Sequence, residues 1–291
     1  MLFQGMHPMS VLTPYNRAGA SGRAPSAAIW SQMTGQSMNA DGGYGWIGFA
    51  DDFEGYNALA ATGAFGKGPY YGFIENSGTV ASLTTDLGGV IQLATGATAD
   101  NDTSIHAGQI AGLGEIGVGV PGTLTGLGGK VLFEARIRAP SVTSGDFSWC
   151  VGLAEPGCAA NDGFLTDGHA LGAKDFLGFY VLDDDGDELN FGYNVTGTAT
   201  GVSAATYADN LVLATFYKVG FVYDPGVDPA KRIRWYVDGV EQSSYITGTT
   251  VATSAFPGGE PMSPYIQVKA DDTDSPKIDL DWWAVAFEGR A

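Results

Sequence analysis

The chain has 291 residues, of which 44 are glycine and 13 proline, about a fifth of the whole. That share excludes a helical bundle, and no strict three-residue period makes it collagen-like. Charged residues are 16% of the chain, 32 acids against 14 bases, for a net charge of −18. Such a surface repels phosphate, so no nucleic-acid binding is expected, while the charge favours solubility.

A hydrophobic share of 44% is ample for a packed core. No run of 18 apolar residues occurs, so membrane insertion is not expected. No basic segment leads into an apolar core at the start, so no secretory signal is read there. Residues 1–5, Met-Leu-Phe-Gln-Gly, resemble a viral-protease recognition sequence left by an expression vector, and Met6 or Met9 is the expected native start. Cys150 and Cys158 are too few for a disulfide scaffold; they are expected as free thiols, with a local pairing left open. His7, His106 and His169 lie far apart, and no Cys/His spacing suggests zinc.

Residues 6–45 are rich in Ser, Ala, Gly and Pro and show no alternation. The first 50 residues hold two bases, Arg17 and Arg23, against one acid, Asp41, whereas residues 51–291 hold 12 bases against 31 acids. The reading is an extended or flexible N-terminal arm on an acidic body. Arg17 and Arg23 are its candidate partner-binding residues, because guanidinium groups form charge-assisted hydrogen bonds to carboxylates.

From Trp46 onward the pattern is β, and residues 46–291 are read as one domain. Strands are expected near 45–52, 70–75, 79–84, 89–94, 103–107, 130–138, 147–153, 177–182, 188–193, 211–223, 232–237, 240–245, 264–269 and 278–287. In the run 130–138, Val131, Phe133, Ala135 and Ile137 share one face, and Glu134, Arg136 and Arg138 the other. Asp238-Gly239 predicts a tight hairpin after the alternating run 232–237. No stretch sustains a 3.6-residue period, and 57–65 allows one or two helical turns at most. Many short strands without crossover helices predict an all-β fold, a two-sheet antiparallel sandwich.

Particular phrases narrow this. Lys218-Val219-Gly220-Phe221-Val222-Tyr223-Asp224, then Arg232-Ile233-Arg234-Trp235-Tyr236-Val237-Asp238-Gly239-Val240, resemble the hairpin of concanavalin A-like lectin and laminin-G-like jelly rolls. The closing Ile278-Asp279-Leu280-Asp281-Trp282-Trp283-Ala284-Val285-Ala286 looks like the last core strand of that fold. Phe49-Ala50-Asp51-Asp52-Phe53, the segment 88–102, the run 133–138 and the words at 151–155 resemble structural proteins of tailed bacteriophages. That resemblance implies a virion protein of head-decoration type, assembled in the bacterial host cytoplasm. Its implied partners are the major capsid protein or another virion protein, and further copies of itself in a homo-oligomer.

Three chemistries compete with a purely structural role. Glycosidases of this fold carry a Glu-x-Asp-x-(x)-Glu strand, whose alternation sets acid and nucleophile on one face. The nearest match, Asp279 to Ala284, replaces both Glu positions, so hydrolysis or lyase activity is the weakest expectation. The run 183–188 packs five acids into six residues, and Asp183, Asp185 and Asp187 are candidate Ca²⁺ ligands, because that ion wants oxygen donors. A solvated turn explains the same run without metal, as it does for 271–274. Trp282 and Trp283 are candidates for stacking on a cell-surface glycan, although such rings also fill sandwich cores. No Ser/His/Asp nucleophile set is evident, and no catalytic residue is assigned.

Overall fold

The computed structural model describes residues 22–32, 46–53, 62–67, 70–83, 89–107, 129–139, 147–160, 163–167, 170–183, 188–198, 202–209, 211–257 and 262–288. Its strands are β1 (Trp46–Asp51), β2 (Gly63–Lys67), β3 (Tyr70–Ile74), β4 (Thr79–Ser82), β5 (Ile91–Ala94), β6 (Asp102–Ala107), β7 (Val131–Arg138) and β8 (Phe147–Ala154). There follow β9 (Phe176–Val181), β10 (Asn190–Asn194), β11 (Val202–Thr206), β12 (Tyr217–Tyr223), β13 (Ile233–Val237), β14 (Val240–Ile246), β15 (Ser263–Ala270) and β16 (Lys277–Glu288). Helical elements among the described residues are single turns, α1 (Ala27–Trp30), α2 (Gly248–Val251) and a 3-10 turn at Pro229–Lys231, with Asp183 also in 3-10 conformation. None is long and apolar enough to cross a membrane.

The strands form two antiparallel eight-stranded sheets. The first runs β14-β13-β12-β7-β16-β5-β4, with β1 also paired to β16; the second runs β11-β10-β9-β8-β15-β6-β3-β2. The expected all-β sandwich is what forms. Alternation explains it: Val131, Phe133, Ala135 and Ile137 of β7 enter one shared core with Val219 and Phe221 of β12 and with Val151, Phe179 and Phe191 of the second sheet. The β13–β14 hairpin turns at Asp238 and Gly239, both at positive φ (49° and 79°), the backbone a two-residue hairpin demands.

The structure departs from the expected elements at four places. Residues 63–67 are strand β2 where a helical turn was allowed, and β11 had no expected counterpart. Of 211–223, only Tyr217–Tyr223 is strand, because Ala214 at φ 60° breaks the run before it. The fourth departure is the arm. Residues 22–32, read as part of an extended or flexible segment, lie against the outer face of the first sheet, and Ile29 is fully buried there.

Candidate functional site: the outer faces of the two sheets

The face of the first sheet turned away from the core carries the acid pair of β16. The register of β16 against β7 slips between Leu280 and Trp282. Asp281 is therefore a bulge residue, and both it and Asp279 project outward. Asp279 accepts hydrogen bonds from Arg138 Nε on Oδ2 (2.7 Å) and from Gln92 Nε2 on Oδ1 (2.8 Å). Asp281 Oδ2 accepts from Arg23 Nε (2.8 Å) and from Arg136 Nη1, and its Oδ1 accepts from Arg23 Nη2. Neither carboxylate has exposed area. The guanidinium carbons of Arg136 and Arg138 sit 4.0 and 4.3 Å from the ring centre of Phe216, which holds both arginines in place. A general acid needs a proton to give, and a nucleophile needs a lone pair facing substrate. All four oxygens here are occupied as acceptors, and Ala284 stands where the motif's last acid belongs.

The segment 22–32 straps this face. Ser26 caps α1, its carbonyl accepting from Ile29 N (3.0 Å) and Trp30 N (3.1 Å). The single turn aims Ile29 into a pocket of Leu132, Val222, Tyr236 and Ala286. Gly220 makes the room: a Cβ there would lie 2.6 Å from Ile29 Cδ1. Glu134 Oε2 accepts from Ser26 N (3.0 Å) and Trp30 Nε1 (2.7 Å). Burial raises the Glu134 pKa, and those two hydrogen bonds oppose the rise. Lys218 Nζ donates to Ala24 O (3.2 Å), and Arg234 Nη2 to Gln32 Oε1 (3.2 Å). Arg23, expected to reach for a partner molecule, is thus used within the chain; Arg17 lies outside the described residues.

The outer face of the second sheet is covered by the chain's own loop between β8 and β9. Phe164, Leu165 and Leu171 of that loop pack on Cys150, Phe176, Tyr180 and Tyr265. Gln267 Oε1 accepts from Phe164 N (3.2 Å) and Leu165 N (2.8 Å). Lys269, fully buried, donates to Asp100 O (2.6 Å) and Asp167 Oδ1 (2.7 Å). Cys150 and Cys158 are free and buried, and burial pushes both thiols above their ordinary pKa, which makes them poor nucleophiles.

This face also holds a contact that sequence reasoning missed. Ser263 Oγ lies 2.7 Å from His106 Nε2, across 157 residues. The same nitrogen is 3.1 Å from the Ala154 carbonyl. A carbonyl can only accept, so in the tautomer that satisfies Ala154 the proton sits on Nε2 and Ser263 Oγ is the acceptor of the pair. Burial lowers the His106 pKa to about 4. The pair is buried: His106 has no exposed area and Ser263 keeps 6%.

The remaining candidates separate. Asp183 is joined to the second acidic run through Ser148: Asp183 N donates to Ser148 Oγ (3.2 Å), which donates to Asp271 Oδ2 (3.2 Å). Asp185 and Asp187 lie outside the described residues, and among those described no group of three His, Cys, Asp or Glu is placed to hold a metal. Trp283 is fully buried and packs on Phe53 (5.7 Å) and Tyr70 (6.0 Å) in the core. Trp282 keeps only 4% of its surface. Neither ring offers a face to a sugar, which corrects the stacking expectation.

No family model and no curated protein matches the chain. Solved structures do. Peanut lectin matches at 13% identity over 84% of this chain and 99% of its own, with a TM-score of 0.51. A protein of unknown function from Shewanella oneidensis MR-1 matches at 14% identity over 90% and 94%, with a TM-score of 0.49. A β-glucanase from Bacillus licheniformis matches at 15% identity over 84% and 99%, with a TM-score of 0.46. The likeness is one of fold, the concanavalin A-like jelly roll. None of the three is described as a virion protein, so the phage likeness rests on the sequence phrases alone.

Proposed function

We propose that this chain works by binding and not by catalysis, as a structural protein of a tailed-phage virion, of the kind that decorates a capsid surface. One observation carries the non-catalytic part: the two candidate acids, Asp279 and Asp281, are unexposed and held by Arg23, Arg136 and Arg138. The covering of the second sheet's outer face by residues of the β8–β9 loop points the same way. The phage-like phrases at 49–53, 88–102, 133–138 and 151–155 support the virion part.

Attachment to the capsid then falls to residues outside the docked strap, Arg17 among them, or to the body. Val212 (63% exposed), Leu213 (39%) and Val240 (64%) are the large exposed hydrophobics among the described residues. They offer the body apolar contact points for a protein partner.

A second reading, a glycan-binding module of a tail fibre or capsid surface, is favoured by the fold shared with peanut lectin. One set of measurements separates the readings. The full chain is sedimented with particles from cells that encode it, run on a glycan array with and without Ca²⁺, and incubated with polysaccharides. Co-sedimentation with a silent array supports the decoration reading. Sugar-competed array binding moves the function to glycan recognition. Release of reducing or unsaturated ends overturns both.

A further inference from the structure

The strap is held by a socket that the body builds in full. Its floor is Leu132, Val222, Tyr236 and Ala286, and Gly220 leaves the seat for Ile29. Its polar anchors, Glu134 and Asp281, are buried carboxylates on β7 and β16. All these residues belong to strands whose order does not include the strap.

The connection between strap and body is long. Residues 33–45, thirteen in all, join Gln32 to Trp46. Gln32 sits over β13, by Arg234, and Trp46 pairs with Glu288 of β16. β13, β12, β7 and β16 are consecutive neighbours and β1 lies on the far side of β16 from β7, so the crossing to Trp46 is four strand spacings, roughly 19 Å. Thirteen residues reach roughly 45 Å when extended. The excess leaves the strap able to seat in another molecule.

The strap brings one cation, Arg23, to the buried Asp281 carboxylate, and the strap of any copy carries the same contact. We propose that the outer face of the first sheet is a peptide-docking site whose second occupant is the Arg23–Trp30 strap of another copy of this chain, linking copies by strap exchange. Within one molecule the tether gives an effective concentration on the order of millimolar. Exchange therefore becomes favourable where copies are crowded at comparable concentration. The inference does not depend on the virion reading: a chain that never binds capsids still tests it.

The probe is a fluorescent peptide of residues 22–32, which is what a second copy would present. It is titrated into wild-type full chain and into full chain carrying Ile29→Asp, which spoils the resident strap and leaves the socket intact. The proposal expects saturable binding to the Ile29→Asp chain. It also expects at least about tenfold weaker binding to wild type, where the tethered strap competes. Peptide carrying the same Ile29→Asp change is expected to lose binding. Should the Ile29→Asp chain lack a cooperative melt, a full chain with a protease site placed within 33–45 is cut, and labelled peptide is added to displace the nicked strap. No peptide binding to a folded Ile29→Asp chain, or no exchange into the nicked chain, overturns the proposal.

Discussion

Arg23 and Asp281 lie 258 positions apart and are joined by two hydrogen bonds, so the start and the end of the chain are fastened together across one sheet face. Asp281 has no exposed area and also accepts from Arg136. Arg23→Ala removes one of two cationic partners and is expected to lower stability by about 1–2 kcal/mol. Asp281→Ala leaves two guanidinium groups facing one another and is expected to cost more, about 3–5 kcal/mol. Urea titration of both variants checks the order; equal losses would mean the pair is not seated as described.

Removal of residues 1–32 is expected to destabilise the body, although the composition of 6–45 reads as an extended or flexible arm. Ile29 is fully buried, and its truncation to Ala is expected to cost about 2–4 kcal/mol. The deletion also uncovers Glu134. A drop in Tm of about 5–10 °C is expected in a thermal scan. An unchanged Tm would show that the strap contributes no net stability.

His106 supplies an acid-side prediction. Its native pKa is about 4 against an ordinary 6.5, because burial opposes its charging. The unfolded chain therefore binds the proton first. Stability is expected to fall as pH drops from about 6.5 towards about 4, by about 3 kcal/mol over the window. Glu134 acts with the opposite sign: its raised native pKa means that its contribution is lost as pH rises through that value. Stability measured against pH for wild type and His106→Gln separates them, since the variant loses the slope below pH 6.5.

The acidic end of the second sheet is tested by metal. If Asp183 with Asp185 and Asp187 binds Ca²⁺, added Ca²⁺ raises Tm and chelator lowers it, because an ion held only by the native state stabilises it. Asp183→Asn is expected to abolish the difference. Superimposable melting curves with Ca²⁺ and with chelator return the run to a plain turn.

The fold was legible where alternation was strong. The run 130–138 assigned both faces of β7 correctly, down to Glu134, Arg136 and Arg138 on the outer side. Strand β2, Gly-Ala-Phe-Gly-Lys, carries two glycines in five residues and no β-branched side chain, so propensity hid it. The strap was hidden for another reason. Its helix is one turn, and its apolar anchor is the single residue Ile29, so no period existed to read. The bulge at Asp281 and the contact of His106 with Ser263 are set by strand register between distant segments, which no local pattern carries. Strand alternation turns Trp282 and Trp283 to opposite faces, but the burial of both follows only from the packed structure.

The most direct test of the central claim is the number of copies of this chain in purified virions from cells that encode it, counted by quantitative mass spectrometry against the major capsid protein. The chain is expected to co-purify with intact particles at a fixed ratio to the capsid protein. Its absence from particles, with the protein recovered free in the lysate, would overturn the virion role.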